Sequence, residues 1–313
     1  MNNEELRRLG EIARRLRRGP RGALVDIGDD AAVLQSGDRQ LVVSVDAQVQ
    51  GVHFRPGLLG WHDTGFRSLV SALSDLAAMG AEPRAALLAL VLPDAFPDEQ
   101  LYTLADGVAE ASDLYRSPVL GGNLSRGGEV SITTAVVGEA PDGVLTRSGA
   151  RPGDLVLVTG TLGDAALGLA RLQAGLGAGA ERFVERWQRP VARLGEGRRL
   201  LGRATAAIDI SDGLLLDLDR VCEASRVGAR IEADTLPVDE GFGRLAGELG
   251  LDPVQLALSG GEQYELLFTA PAGTGLQELG TPIGRIVAEP AGVEVVDQQG
   301  RSLEVAARGY GHW

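Results

Sequence analysis

A chain of 313 residues with 44% hydrophobic content and a formal charge of −13 is long enough for two domains, each with its own core. Its acidity excludes sequence-independent nucleic-acid binding, which needs a basic surface to displace counterions. No apolar run reaches the roughly 18 residues of a membrane span, and the lone Cys222 excludes a disulfide framework and fits a reducing cytoplasm.

There is no Lys, so a phosphate-binding P-loop lysine is impossible and cationic contacts fall to Arg, His or metal. The N-terminal segment "MNNEELRRLGEIARRLRRG" is charged throughout and lacks the apolar centre of a signal peptide. It reads as an amphipathic helix with Leu6, Leu9, Ile12, Ala13 and Leu16 on one face. "AAVLQSGDRQLVVSVD" reads as two strands around a Ser-Gly-Asp turn, the second ending at Asp46. "DTGFRSLVSALSDLAAMG" predicts a helix with Asp63 or Thr64 as N-cap, Phe66, Leu69, Val70, Leu73 and Leu76 as its apolar stripe, and Gly80 as the stop.

"RAALLALVLP" predicts a strand, and the helix "PDEQLYTLADGVAEASDLYR" opens with Pro97 in its first turn. "VLGGN" and "EVSITTAVVGEA" give two further strands. The Pro/Gly/Asp-rich "APDGVLTRSGARPGD" then marks a boundary, dividing the chain into 1–140 and 141–313. Beyond it the pattern restarts: strand "DLVLVTG", helix "LGDAALGLARLQAG", then strand, turn, helix and strand in "AAIDISDGLLLDLDRVCEASRVGARIEA", and late strands "YELLFTAP" and "GVEVVD". Alternation in both halves predicts two mixed α/β domains. Cys222 falls in a helical pattern and reads as a core residue.

Several carboxylates sit where the local pattern does not favour them. Asp26, Asp29 and Asp30 surround a glycine before a strand, which fits either a solvated turn or a ligand site. Asp46 ends an apolar strand and fits a turn cap or a ligand. Asp75 lies near a helix C-terminus, where the macrodipole disfavours negative charge by about 0.3–1 kcal/mol. It shares a face with Ser68, Ser71 and Ala72. Asp209 interrupts an Ala/Ile strand, with a second carboxylate, Asp212, close behind; such charges repel unless a cation intervenes. An all-oxygen set with few His and no Cys cluster suits Mg²⁺ rather than Zn²⁺. "VLGGN" and "LSGGEQYELLF" fit either tight turns or backbone nests for a phosphate, and Arg147 in "LTRSGARPGD" is a candidate phosphate contact.

Together "DIGDDAAV", "SVDAQVQGVHF", "SDLAAMGAEPRAALLALVLP", "GGNLS", "LTRSGARPGDLVLVTG", "IDISDGLLLDL" and "SGGEQYELLF" resemble the thiamine-monophosphate kinases, of the superfamily that includes aminoimidazole ribonucleotide synthase, selenophosphate synthase and a hydrogenase maturation factor. The resemblance runs in order from about residue 24 to "GYGHW". It implies a mixed α+β protein whose N-terminal sheets form a barrel in a homodimer and whose C-terminal domain is an α/β sandwich. It implies ATP-dependent, magnesium-assisted phosphorylation of thiamine monophosphate, with K⁺ as a further candidate cation, in the cytoplasm and without nucleic acid or membrane. By matching positions, the resemblance implies that Asp30, Asp46, Asp75 and Asp209 are catalytic metal ligands, joined by Ser44, Val45, Asn123 and Asp212. Tyr115, Gly122, Asn123, Arg147 and Ser211 contact ATP, and His53, Glu262 and Tyr310 contact the thiamine substrate.

Three positions depart from the family pattern. Asn123 replaces an Asp and removes one negative charge, Val45 replaces a Thr and leaves only a carbonyl to ligate, and Gln263 replaces an acidic residue. The alternatives left open are another ATP-using superfamily member and a catalytically silent nucleotide-binding protein.

Overall fold

The computed structural model describes residues 3–16, 23–288 and 292–311. The first half builds a six-stranded sheet from β1 (Ala23–Val25), β2 (Ala32–Ser36), β3 (Arg39–Val49), β4 (Glu82–Leu92), β5 (Val119–Arg126) and β6 (Ser131–Glu139), in the order β1-β2-β3-β6-β4-β5. All neighbours are antiparallel except β4 and β5. Period-two alternation explains its central strand: Ile132, Thr134 and Val136 of β6 are buried, and the residues between them half-buried. Helices α1 (Asn3–Leu16), α2 (Trp61–Ala78) and α3 (Asp98–Tyr115) complete this half.

The second half carries another six-stranded sheet: β7 (Leu155–Val158), β8 (Ala206–Asp209), β9 (Gly228–Glu232), β10 (Leu266–Ala270), β11 (Thr281–Val287) and β12 (Gly292–Val296), ordered β12-β9-β11-β7-β10-β8. Its helices are α4 (Asp164–Gln173), α5 (Glu181–Gln188), α6 (Leu194–Leu200), α7 (Leu214–Ser225), α8 (Phe242–Gly247) and α9 (Pro253–Ser259). Cys222 on α7 is buried in this half's core, and burial pushes its thiol up to about 12, so it stays protonated.

Helix α2 is the hinge of the architecture. Its predicted stripe is fully sequestered, with Phe66, Leu69, Val70, Leu73 and Leu76 at most 3% exposed. The small residues of its other faces are buried as well, as expected of a helix covered on all sides. Gly65 lets α3 approach closely, since a Cβ there would lie 2.0 Å from the Leu104 carbonyl oxygen. The core around α2 takes in Trp187 and Ala192 from the second half, so the two halves share packed surface.

Several expectations need correction. α2 begins at Trp61 with Gly60 at the N-cap, ahead of Asp63 and Thr64. Trp61 packs edge-on against Phe54 and Phe96 at centroid distances of 6.0 and 4.8 Å, and this contact draws an extra turn into the helix. Pro97 is the N-cap of α3 rather than a residue of its first turn. Asp46 lies inside β3, opposite Thr134, because the inward alternation continues to the buried Gln48. Strand β11 escaped the sequence pattern because Pro282 and Gly284 interrupt it; a Cβ on Gly284 would meet the Arg230 carbonyl oxygen at 2.1 Å. Helix α1 forms, yet Ile12 and Leu16 are 52% and 67% exposed. The side chains of Leu6, Leu9 and Ala13, and the terminal His312 and Trp313, lie outside the described residues.

Candidate active site

The 3.6-residue period of α2 places Arg67, Ser71 and Asp75 along one stripe. That stripe borders a cavity of about 610 Å³ walled by β3 and the loop to Arg55, by the segment from Asp209 to Asp212, by the loop from Ser259 to Tyr264, and by Gly309 and Tyr310. Val45, Asp46, His53, Asp75, Asp209, Ser211, Asp212, Glu262 and Tyr310, all singled out from sequence, line it.

At one end three carboxylates converge. Asp30, Asp75 and Asp209 each offer an oxygen within 4.8 Å of the others. The Ser44 hydroxyl lies 2.5 Å from Asp75 Oδ2, and Ser74 donates to Asp209 Oδ2 at 2.7 Å. Arg147 grips Asp30 Oδ1 through Nε at 3.0 Å and Nη2 at 2.5 Å, and its backbone N–H reaches Asp29. Burial and then the charge of Asp30 raise Asp209 to about 7. Burial, followed by Asp209 and Asp30, pushes Asp75 well above the usual carboxylate range, and burial outweighs the pull of Arg147 in raising Asp30.

These residues fit a hard divalent cation. The donors are all oxygen, and the buried Asp30 Oδ2 has no hydrogen-bond partner among the described residues. A cation among them would offset the burial, and the repulsion at Asp75 and Asp209, that raise these carboxyls. Asp212, behind Asp209, is paired with Arg220 at 2.6 Å. Arg220 also holds Asp217, whose Oδ2 accepts the N–H groups of Ser211, Asp212 and Gly213 at 3.1 Å each. That buried carboxylate fixes the turn presenting Ser211 and Asp212.

The other end is built differently. Glu262 is grasped by Arg67 Nη2 and accepts from Trp187 Nε1 at 2.8 Å. Arg67 also donates to the Trp187 carbonyl at 2.5 Å and lies 5.1 Å from its ring centroid. His53 accepts the Val49 N–H on Nδ1 at 3.0 Å, so its other nitrogen is the protonated one in the neutral ring. Tyr310 is 51% exposed and tied by its backbone N–H to the Asp212 carbonyl at 2.9 Å.

Three sequence candidates are not brought to this cavity within one chain. Gly122 and Asn123 lie on the exposed edge strand β5, separated from β3 by β6 and β4; three strand spacings are roughly 14 Å. Asn123 there donates to Ser125 Oγ at 2.7 Å. The Tyr115 hydroxyl accepts the Ala192 N–H at 3.1 Å. Gln263 is buried away from the cavity, with Oε1 accepting from Ala165 N–H at 3.1 Å and Nε2 donating to the Thr161 carbonyl at 2.6 Å. An ionised acid could not make the second bond.

Sequence reading missed Arg67, Trp187 and Tyr264 as parts of the site. The one available signal was an arginine set inside the apolar stripe "GFRSLV", since a fully buried Arg needs a partner.

Comparison with known proteins bears on the same residues. Residues 28–140 match the model of the AIR synthase related protein N-terminal domain, and residues 151–296 that of the C-terminal domain. The thiamine-monophosphate kinase of Escherichia coli (strain K12) is 39% identical over 305 residues, covering 92% of this chain and 91% of that protein. Among solved structures, "AaThiL complexed with AMPPCP and TMP" superposes with a TM-score of 0.90 at 32% identity over 100% of this chain and 99% of the other. Thiamine monophosphate kinase from Aquifex aeolicus gives 0.84 at 31% identity over 97% and 100%.

Proposed function

The chain belongs to the thiamine-monophosphate kinases, within the AIR synthase related proteins, and on that premise we propose that it transfers the γ-phosphoryl group of ATP directly onto the phosphate of thiamine monophosphate, yielding thiamine diphosphate and ADP. The observation that carries this reading is one cavity lined both by Asp46, Asp75, Asp209 and Asp212 and by His53, Glu262 and Tyr310, with Asp30 converging on Asp75 and Asp209.

Asp30, Asp46, Asp75 and Asp209 would hold magnesium, supported by the Ser44 hydroxyl, the Val45 carbonyl and Asp212. Bound magnesium supplies the positive charge that lets ATP and a phosphate monoester, together about five to six negative charges by ordinary phosphate ionisation, share one cavity. K⁺ suits the same oxygen-rich chemistry as an accessory ion. Phosphoryl transfer passes through a loose transition state, so the chain's task is alignment and charge balance. The acceptor oxygen is already ionised, and no side chain has to take a proton from it. His53 therefore orients substrate, its ring fixed by Val49. Arg147 and Ser211 would meet the nucleotide beside the acidic end.

Tyr115, Gly122 and Asn123 enter this reading through a homodimer in the cytoplasm. Val45, Leu87, Leu120 and Leu124 are 49–71% exposed on the strands of the first sheet, an apolar surface that a second copy would cover. Such a copy would bring β5 to a site that one chain leaves it outside. In this reading 1–140 supplies the metal and dimer surfaces, and 141–313 completes the nucleotide and substrate site.

The test is ADP release with ATP and Mg²⁺, with and without thiamine monophosphate, together with chromatography of the thiamine products. One ADP and one thiamine diphosphate per acceptor consumed is the expected result. ADP formation indifferent to thiamine monophosphate would overturn the proposal.

A further inference from the structure

Tyr264 is the residue of the cavity for which neither the fold nor the carboxylate cluster accounts. It is 6% exposed, lines the cavity, and sits at φ +54°; Glu262, two residues earlier, sits at φ +60°. A left-handed backbone is unusual for bulky side chains, and strain of this kind gathers at working sites. The loop shows how it is maintained. The N–H groups of Glu262 and Tyr264 bond to the carbonyls of Ser211 and Ile210 at 2.7 and 2.8 Å, while the Gln263 side chain is pinned on the opposite side by Ala165 and Thr161. The outcome is an alternation that sends residues 262 and 264 to the cavity and 263 to the interior.

The two side chains so delivered differ in one respect. Both Glu262 oxygens are occupied, by Arg67 and Trp187. Tyr264 lines the same cavity as Asp46, Asp209 and Glu262, and its hydroxyl makes no hydrogen bond to the described residues. Burial first, and then those carboxylates, push the phenol upward from its ordinary value, so it stays protonated. A protonated phenol beside an anion donates, and unlike a carboxylate it does not repel a phosphate.

Resting on the function proposed above, we propose that the Tyr264 hydroxyl donates a hydrogen bond to a phosphate oxygen of the acceptor monophosphate, and so distinguishes the phosphorylated substrate from its unphosphorylated parent. A hydrogen bond to a charged group corresponds to about a 10- to 100-fold change in affinity.

Tyr264→Phe keeps the ring and its packing; an unchanged melting temperature verifies the fold. Calorimetric titration of the full-length protein in Mg²⁺, with thiamine monophosphate and separately with thiamine, gives the decisive ratio. The expected result is thiamine monophosphate binding about 10- to 100-fold weaker in Y264F, thiamine binding within twofold of wild type, and KM for ATP unmoved. Equal monophosphate affinity in both proteins would overturn the inference. So would an equal loss for both ligands, which would mean that the tyrosine contacts the heterocycles. Wild-type protein that does not prefer the monophosphate would overturn the kinase reading itself, whereas a wild-type preference retained by Y264F removes only the role of Tyr264.

Discussion

The carboxylates in and behind the cavity are held in two different ways. Glu265, just behind the substrate end, is completely buried, yet it is held by Arg186, by Arg193 at 2.6 and 2.7 Å, and by the Thr159 hydroxyl at 2.6 Å. Glu262 has Arg67. At the acidic end, Asp75 and Asp209 have serine hydroxyls and each other, with one arginine, Arg147, on Asp30. The difference separates scaffold from working site. A buried carboxylate matched by guanidinium is neutralised for the life of the fold. One matched by hydroxyls and protons can exchange those protons for a metal ion.

The sharpest way to break the scaffold is Glu265→Gln, which takes the buried anion shared by the half-buried Arg186 and Arg193 out of the network. Loss of one partner of such a network costs about 3–5 kcal/mol, to be read as a lower urea midpoint at unchanged slope. Asp75→Asn should do the opposite. It relieves repulsion, so the melting temperature should hold or rise, while kcat falls about 10²- to 10³-fold as electrostatic support for the transferring group is removed. Near wild-type turnover at saturating Mg²⁺ would erase the contrast between the two groups.

The contrast sharpens with pH. Asp209, raised from 3.8 to about 7 in the folded chain, keeps a proton that the unfolded chain has lost. The metal-free protein should therefore lose stability as pH rises through about 4 to 7. Magnesium competes with that proton, so its stabilisation should be small at pH 5 and large at pH 8, about 2.7 kcal/mol at a hundredfold excess over Kd. Thermal melts with Mg²⁺ against chelator at the two pH values check this; equal shifts at both would contradict it. The smallest effect is at His53. Replacement by Ala should raise KM for thiamine monophosphate about tenfold, on the scale of one hydrogen bond, and leave KM for ATP unchanged. Initial rates against each substrate measure both.

What the sequence disclosed was chemistry that violates its local pattern. Asp75 at a helix C-terminus and Asp209 in an Ala/Ile strand stood out because nothing nearby wanted a charge, and both lie in the cluster. Glu265 stood unnoticed in "YELLF", since its partners Arg186, on α5, and Arg193, at the N-cap of α6, are more than 70 positions away. Tyr264 was hidden for another reason: it reads as the first residue of a strand, whereas β10 begins at Leu266 and the backbone of Tyr264 is at φ +54°. Gly122 and Asn123 were legible as a turn-like motif, but their distance from Asp46 is set by sheet order, which local pattern does not encode.

Trp187 gives the molecule a constraint on its ancestry. Its indole belongs by sequence to the second half and by packing to the core of the first, where it also steadies Arg67 and Glu262. The halves therefore cannot be shuffled like cassettes among relatives: a transplanted first half would arrive with a hole the size of an indole, and the donor left behind would display an unclothed tryptophan. Lineages keeping this lock must have altered both halves in step.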